Sequence, residues 1–244
     1  MPKPEGSAKS RKLRGRANAS LADQAYQLTL DQILRGTLSL GAVVSRRSLA
    51  RQFGMSFVPV AEALQRLEID GLLESRPRAG TRVRIPTADE IHGRFEIREA
   101  LECQSARLCA ERSTFQEQLD LKRAAGHVDT LFARIASENV DREFFFAVQK
   151  FHIDLHMKIA MYARSEALRA AIEKSHVLVF NGLYDVASGP HVLPPGFHQR
   201  LIESIITGQA QTAEAAMREH VRFGLDGVLK AIGPSHNRSW RLKH

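Results

Sequence analysis

Cysteine is scarce in this chain, which has only two cysteines among 244 residues. Cys103 and Cys109 lie six residues apart on one predicted helix, a poor geometry for a bridge, so a disulfide framework is excluded. No apolar run approaches the roughly 18 residues of a membrane helix, and the first residues lack the apolar stretch of a signal peptide. We therefore expect a cytoplasmic protein with no membrane partner, in which residues 1–20 form a disordered basic arm.

The formal charge of +8 is confined to the N-terminal third of the chain. Residues 1–86 contain 15 lysines and arginines and 7 acidic residues, whereas residues 87–244 contain 20 of each. A localised excess of positive charge favours a polyanionic partner, because binding to phosphates releases counterions and supplies most of the non-specific affinity. On charge alone, a solvated basic face is the alternative explanation.

Residues 45–71 have the pattern of a helix-turn-helix. Ser45 is placed to cap a helix that ends at Gly54, and Ser56 is placed to cap a second helix that ends at Gly71. The second helix can lie in the major groove of DNA. Its apolar residues recur at roughly helical spacing: Val60, Ala63, Leu64, Leu67 and Ile69.

The neighbouring segments complete a DNA-binding domain around this motif. Residues 72–76 and 81–85 alternate like strands on either side of the turn 77–80, which predicts a β-hairpin wing. Residues 22–36 carry an apolar stripe at helical spacing and predict a first helix whose apolar side packs behind the motif. The N-terminal third therefore predicts three helices and a wing.

Beyond Pro86, strand alternation gives way to long amphipathic stretches. A proline after a strand, followed by Thr87 or Asp89 as a helix cap, marks a domain boundary. The predicted fold is mainly α, with an all-helical bundle as the second domain. Helices are predicted over residues 89–112, 115–137, 141–163, 166–185, 196–207 and 211–232. The predicted arm, winged helix-turn-helix, helical domain and tail occupy residues 1–20, 21–86, 87–235 and 236–244.

Four of the ten histidines are spaced as metal ligands would be. His152 and His156 stand at i and i+4, so they share one helix face about 5 to 6 Å apart. His198 and His220 flank a predicted turn centred on Gln209, and in a helical hairpin each would lie about 16 Å from it, at one level. Two pairs from three helices could thus converge on one cation. The alternative is that these are core or surface histidines whose spacing arises by chance.

The first 86 residues resemble the winged-helix domain of the GntR family of bacterial transcription regulators, through RRSLARQFGMS, PVAEALQRLEIDGLL and RPRAGTRV. FEIREALE and HQRLIESIITGQAQTAEAAMREHV resemble the FCD branch of that family. The resemblance implies a homodimer that binds a palindromic operator in double-stranded DNA and responds to a small carboxylate effector. The DNA-binding residues expected on this basis are Arg46, Arg47, Ser56, Arg66, Arg78, Gly80 and Thr81.

The second helix of the motif departs from the family at two positions. Family members usually carry arginines one and five residues after the serine that opens this helix, and here Phe57 and Ala61 stand in their place. A guanidinium bidentate to a base contributes about 1 to 3 kcal/mol of discrimination, so we expect DNA binding with altered specificity. Phe57 can contact a thymine methyl or pack inward, and packing inward is the favoured expectation.

Many FCD domains hold a divalent cation with an aspartate and three histidines, and the resemblance assigns that role to His152, His156, His198 and His220. His152 then replaces the aspartate that usually stands four residues before the helical histidine; in the other possible register Val148 replaces it and one ligand is lost. The spacing to the helix that starts at Ser165 favours the first register. An all-histidine set suits Zn²⁺, with Ni²⁺ as the alternative, better than Mg²⁺ or Ca²⁺.

Arg98 in FEIREALE matches a family arginine that faces the effector cavity. A guanidinium beside a metal is a good receptor for a carboxylate. From the sequence alone, a helix salt bridge with Glu102 at i+4 explains the same residue. The resemblance favours the cavity.

These features predict a ligand-responsive, DNA-binding transcription regulator that is not an enzyme. Two other functions stay open, a degenerate ligand-sensing dimer without specific DNA binding and a metal-dependent hydrolase. HIDLH is superficially similar to the zinc protease motif HExxH, but Ile153 stands where the general base is needed and Asp154 is offset by one. No Ser-His-Asp arrangement is evident, so no catalytic residue is predicted.

Overall fold

The computed structural model describes residues 20–78, 80–188 and 193–239. Nearly all of the predicted basic arm, and residues 240–244 of the predicted tail, lie outside the described residues. The contacts divide the chain into two compact units, one formed mainly by residues before 85 and the other mainly by residues from 85 onward. Each unit is described by itself.

The first unit contains the helix-turn-helix expected from the sequence. Ser45 begins the second helix, where its side chain accepts a hydrogen bond from the backbone N–H of Ser48, and Gly54 ends it at a φ of 64°. Ser56 is the N-cap residue of the third helix, as predicted, but its side chain makes no capping hydrogen bond. The helices of this unit are α1 (Leu21–Leu34), α2 (Arg46–Phe53) and α3 (Phe57–Ile69).

The wing is a three-stranded antiparallel sheet with the strand order β1-β3-β2. The hairpin strands β2 (Leu73–Arg76) and β3 (Gly80–Val83) confirm the predicted wing. Strand β1 (Val43–Val44) pairs with β3 and was not expected, because two residues are too few to show alternation. At the tip, Arg78 and Gly80 adopt φ values of 64° and 76°, which lets the hairpin turn tightly.

The core of the first unit lies behind α3. The inner side of that helix is fully buried, and its members are Val60, Ala63, Leu64 and Leu67. Ile69 was expected in the same stripe but is 77% exposed. Five residues after Leu64, it is rotated by roughly 140° from that residue about the helix axis, so it faces away from the core. The hydroxyl of Tyr26 on α1 donates a hydrogen bond of 2.7 Å to Asp70, just after α3.

The second unit is helical throughout its described residues. Thr87, not Asp89, caps its first helix, and Thr114 caps the next; each forms a capping box with the glutamate three residues later. The helices are α4 (Ala88–Arg112), α5 (Phe115–Ser137), α6 (Arg142–Tyr162), α7 (Glu166–Ser175), α8 (Val177–Ser188), α9 (Phe197–Ile206) and α10 (Ala210–Ser239).

Most helix boundaries lie within three residues of the prediction, and two features differ by more. The stretch expected to run over 166–185 is divided, because His176 adopts a left-handed conformation with a φ of 53°. Neither glycine nor proline marks that break, so no local signal predicts it. The last helix continues to Ser239, past the expected end at residue 232.

The central helices of this unit enclose its site. Helix α4 packs lengthwise on α10, α6 packs against α4 and α5, and α9 packs against α5 and α10. The inward faces of α6, α9 and α10 therefore meet in one interior region. Within the described part of the chain, no helix is both long and apolar enough to cross a membrane.

Candidate functional site

Three imidazoles meet in the interior of the helical unit. His152 and His156 project from α6 and His220 projects from α10, and all three are buried. The Nε2 atom of His156 lies 3.0 Å from Nε2 of His152 and 3.2 Å from Nε2 of His220. Nitrogen ligands of one tetrahedral zinc lie about 3.3 Å apart, so a small outward shift of the rings fits a single cation.

The fourth predicted ligand, His198 on α9, stands beside this group but is not within the same mutual reach. Its ring centre lies 4.8 Å from that of His152 and 5.2 Å from that of His220. Its Nε2 atom is buried and has no hydrogen-bond partner among the described residues. A buried imidazole nitrogen without a partner, next to three convergent ones, fits a fourth ligand position.

Glu102 on α4 orients one of the convergent rings. Its carboxylate accepts a short hydrogen bond from Nδ1 of His156 and a 2.5 Å hydrogen bond from Nε of Arg98. Burial alone would raise the pKa of Glu102, but the charges and hydrogen bonds of His156 and Arg98 outweigh it and hold the pKa at about 2. The ionised carboxylate therefore holds the Nδ1 proton and directs Nε2 of His156 toward the cluster.

Asp129 on α5 performs the same role for His198. Its carboxylate accepts a 2.7 Å hydrogen bond from Nδ1 of His198, and 3.0 Å hydrogen bonds from the backbone N–H groups of His198 and Gln199. Burial would raise the pKa of Asp129, but these hydrogen bonds outweigh it and lower the pKa. The proton on Nδ1 leaves Nε2 of His198 as the nitrogen that is available to a cation.

The imidazoles of His152, His198 and His220 are held neutral by their surroundings. Burial is the main cause that lowers the pKa of His152 and of His220 well below the ordinary value, and the neighbouring histidines lower it further. Burial also lowers the pKa of His198, more than Asp129 raises it. Neutral imidazoles offer the lone pairs that a metal needs.

A cavity opens beside the histidines, and its empty space is about 500 Å³ when the open solvent at its mouth is included. Its polar lining includes Arg98 and Gln149, together with His152, His198 and His220. Its apolar lining includes Phe132, Phe197 and Phe223. The sequence offered a salt bridge with Glu102 and a position at a cavity as alternatives for Arg98. Arg98 does both, because it pairs with Glu102 and also lines the cavity.

Gln149 is a polar residue of this cavity that no pattern in the sequence singles out. It lies on α6, one turn before His152, and is only 4% exposed. Its Oε1 atom has no hydrogen-bond partner among the described residues. A buried amide oxygen at a cavity wall is a position where a ligand can donate a hydrogen bond.

The first unit presents several of the predicted DNA-binding residues to solvent. Arg46 and Arg47 on α2 are exposed, as are Ser56 at the start of α3 and the wing-tip residues Arg78 and Gly80. Exposed guanidinium groups on the motif and on the wing can reach phosphates on either side of a groove.

Two other predicted DNA-binding residues bind side chains of the same unit. Arg66 donates a 2.6 Å hydrogen bond to Asp23 and lies over the ring of Tyr26, 4.8 Å from its centre. Thr81 is only 6% exposed, and its hydroxyl is 3.0 Å from that of Ser75 on the paired strand. Both side chains therefore have partners within the unit, and their contact with DNA stays a prediction.

Phe57 does not pack inward, so the favoured expectation for this residue was wrong. It is 54% exposed at the start of α3, and Val58 after it is 72% exposed. Ala61, which replaces the second family arginine, is partly buried. The beginning of α3 is therefore an exposed apolar surface where the family pattern has charge.

Comparison with known proteins assigns both units to one family. The pattern of the family described as "Bacterial regulatory proteins, gntR family" matches residues 21–83, and that of the "FCD domain" matches residues 94–223, more than half of the chain. The chain belongs to the GntR family of bacterial regulatory proteins. Its first unit is the family's DNA-binding domain, and its second contains the FCD domain.

Curated relatives support this assignment over most of the chain. The "Probable D-xylose utilization operon transcriptional repressor" of Paenarthrobacter nicotinovorans is 29% identical over 88% of this chain and 91% of its own length. The HTH-type transcriptional repressor RspR of Escherichia coli (strain K12) is 26% identical, over 82% of this chain and 85% of its own. A GntR-family chain with an FCD domain is a DNA-binding transcription regulator.

Solved structures show the same GntR-type fold. A GntR regulator chain from Rhodococcus sp. RHA1 superposes with a TM-score of 0.69 at 19% identity, over 86% of this chain and 98% of that one. E. coli McbR/YncC superposes with the same TM-score at 20% identity, over 88% and 99%. The predicted mainly α fold, with a winged helix-turn-helix and an FCD bundle, is confirmed.

Proposed function

We propose that this GntR-family protein is a homodimeric repressor whose operator affinity is modulated by a small organic acid bound beside a metal in the FCD domain. The observation that carries the proposal is the cluster of His152, His156 and His220, of which His152 and His220 line a cavity that Arg98 also lines. The repressor role is proposed because the two curated relatives are named as repressors. Residues 21–86 would bind DNA, and residues 87–235 would bind the ligand and the second protomer.

The proposed metal is Zn²⁺, with Ni²⁺ as the alternative. Its ligands would be the Nε2 atoms of His152, His156 and His220, with His198 as the fourth. The donor set is entirely imidazole, which Zn²⁺ and Ni²⁺ accept and which Mg²⁺ and Ca²⁺ disfavour. Glu102 and Asp129 support the assignment, because metal-binding histidines usually donate their other N–H to a carboxylate.

The proposed effector carries a carboxylate at one end and an apolar body at the other. When bound, the metal supplies a positive coordination position for a carboxylate oxygen. Arg98 supplies a guanidinium at the same wall, and Gln149 supplies a hydrogen-bonding amide. The rings of Phe132 and Phe197 stack on His198 and His220 and form the apolar wall. Such a lining favours an organic acid that is partly apolar over a fully hydroxylated one.

The effector acts on DNA binding only through its differential affinity for two arrangements of the protein. If it prefers the arrangement that does not fit the operator, it releases DNA; the opposite preference strengthens binding. A coupling of about 1 to 3 kcal/mol, common for such sites, changes operator affinity by about 5- to 150-fold.

Titration of fluorescent DNA from the protein's own upstream region tests the proposal. We expect specific binding that an unlabelled copy of the same DNA competes away and that unrelated DNA of equal length does not. A panel of small organic acids should then shift the affinity of the metal-loaded protein. Binding that shows no preference for the upstream DNA at low salt would overturn the regulatory function.

A ligand-sensing dimer without specific DNA binding is the second candidate, favoured by Phe57 and Ala61 alone. The double variant Phe57→Arg, Ala61→Arg restores the arginines of the family pattern. If only this variant binds the upstream DNA specifically, the natural chain is the degenerate sensor. No residue is proposed as catalytic.

A further inference from the structure

We infer that Phe57 and Val58 read the operator through the 5-methyl groups of thymines in the major groove. The inference rests on the proposed DNA-binding function and adds the chemical group that is read. It predicts an operator half-site that contains thymine opposite the start of α3, where an arginine would favour guanine.

The two side chains lie at the end of α3 that would meet the bases. They are the first two residues of that helix, and the N-terminal residues of a recognition helix are those that reach base edges in a helix-turn-helix. The buried side of α3 begins only at Val60. Phe57 and Val58 lie outside that side and project from the unit, as their exposure of 54% and 72% records.

The surroundings of this apolar patch select DNA over a second protein surface as its occupant. The exposed Arg46 and Arg47 lie on the preceding helix, and Arg78 is exposed at the wing tip. The first turn of α3 contains no acidic residue, and its backbone N–H groups carry the positive end of the helix dipole. A phosphate-lined groove complements an apolar patch on a unit that also exposes these arginines.

The chemistry of the two side chains then selects the base. A phenyl ring and an isopropyl group donate and accept no hydrogen bond, so they cannot read the edges of guanine, adenine or cytosine. Thymine alone presents an apolar group, its C5 methyl, in the major groove. Burial of one methyl-sized group contributes about 0.8 kcal/mol, which corresponds to about fourfold in affinity.

The experiment removes that methyl group without changing base pairing. Each thymine of the operator is replaced in turn by deoxyuridine, symmetrically in both half-sites, and the affinity for wild-type protein is measured by fluorescence anisotropy. We expect one or two positions per half-site where uracil weakens binding by about 15-fold, since each half-site loses about fourfold. When a G·C pair replaces the A·T pair at such a position, 5-methylcytosine should bind more tightly than cytosine.

The variants Phe57→Ala and Val58→Ala connect this effect to the protein. Each should weaken binding to the thymine operator and reduce the difference between thymine and uracil. The matched control is Ile69→Ala, which removes another exposed apolar side chain at the opposite end of the same helix. The control should leave both affinities and the thymine preference unchanged. Thermal unfolding of each variant confirms that α3 is still folded.

Three outcomes are decisive, and they separate the inference from the proposed function. If the protein binds the operator specifically and equally well with thymine or uracil at every position, the methyl-reading role is refuted and the regulator stands. The role is refuted in the same way if both alanine variants retain the full preference for thymine. If wild-type protein binds no operator, the proposed function fails and the inference fails with it.

Discussion

Two carboxylates, Glu102 and Asp129, decide which imidazole nitrogen faces the histidine cluster. Each accepts a hydrogen bond from an Nδ1 atom, on His156 and His198 respectively, and so leaves Nε2 toward the interior. Spacing in the sequence marks Glu102 only as the i+4 partner of Arg98 and does not mark Asp129, because the histidines that the two carboxylates bind lie 54 and 69 residues further along the chain. Outer-sphere partners of this kind tune the metal affinity of the ligands that they orient.

Asp129→Asn tests this role at the scale of one residue. An amide is a weaker acceptor from Nδ1, so we expect the metal to bind about 10- to 100-fold more weakly. Competition with a chromophoric chelator measures the change. The control is Asp120→Asn, on the same helix, whose carboxylate binds Lys158 and Tyr162. Equal metal affinity of the two variants would contradict the role of Asp129.

Tyr26→Phe tests the packing of the first unit. It removes the hydroxyl that donates to Asp70 and leaves that partly buried carboxylate without this donor. We expect the free energy of unfolding to fall by about 0.5 to 1.5 kcal/mol, the net contribution of one hydrogen bond. Urea unfolding measures it, and the midpoint should fall while the slope stays unchanged. An unchanged midpoint would show that water replaces the hydroxyl without cost.

At the scale of the element, the wing and the third helix use arginine for different purposes. Arg78 at the wing tip is exposed, whereas Arg66 on α3 is held by Asp23 and Tyr26. We expect Arg78→Ala to reduce the slope of log affinity against log salt by about 0.9 for each lost phosphate contact, hence about 1.8 for a dimer. Binding should weaken on all DNA sequences alike. Titrations at several salt concentrations measure the slope.

The same salt titration on Arg66→Ala should give a different result from Arg78→Ala. The salt slope of Arg66→Ala should equal that of the wild-type protein, while its unfolding midpoint should drop because Asp23 and Tyr26 lose their partner. A slope lowered as far as that of Arg78→Ala would instead support the DNA contact predicted for Arg66 from the sequence.

The elements themselves were largely predictable, and the reasons are visible in particular residues. Ser45 and Gly54 mark the ends of α2, and Thr87 and Thr114 begin long helices, because caps are local signals that need no tertiary contact. The short strand β1 depends on pairing with β3, which is distant in the chain, and no local signal marks the break at His176, so local patterns revealed neither.

The candidate site, too, was predictable only where its residues follow a local pattern. The i, i+4 spacing of His152 and His156 is local and predicted a shared face, and the three-membered cluster includes both. The positions of Gln149 and Asp129 depend on how three or more helices pack, and no spacing encodes that. The exposure of Phe57 was missed because an aromatic residue beside a core stripe normally packs inward.

At the scale of the whole molecule, we expect bound metal to raise the free energy of unfolding, because it binds only the folded FCD domain. Protein purified without added metal should contain about one transition metal per chain by elemental analysis. At free metal near 100 times the dissociation constant, binding contributes about 2.7 kcal/mol. For a chain of this size, chelation should then lower the unfolding temperature by roughly 5 to 10 °C.

Alanine variants of two histidines test whether the metal content and the effect of the chelator depend on the cluster. His220→Ala removes a ligand and should lose both the metal and the response of unfolding to chelator, because a remaining set of imidazoles binds a cation far more weakly. His127→Ala is the matched control, since that exposed imidazole lies against Phe151 and outside the cluster. It should keep the metal and the full shift. Chelator-insensitive unfolding of the wild-type protein, or full metal retention in His220→Ala, would remove the cation from the proposed mechanism and leave Arg98 as the main attraction for the effector's carboxylate.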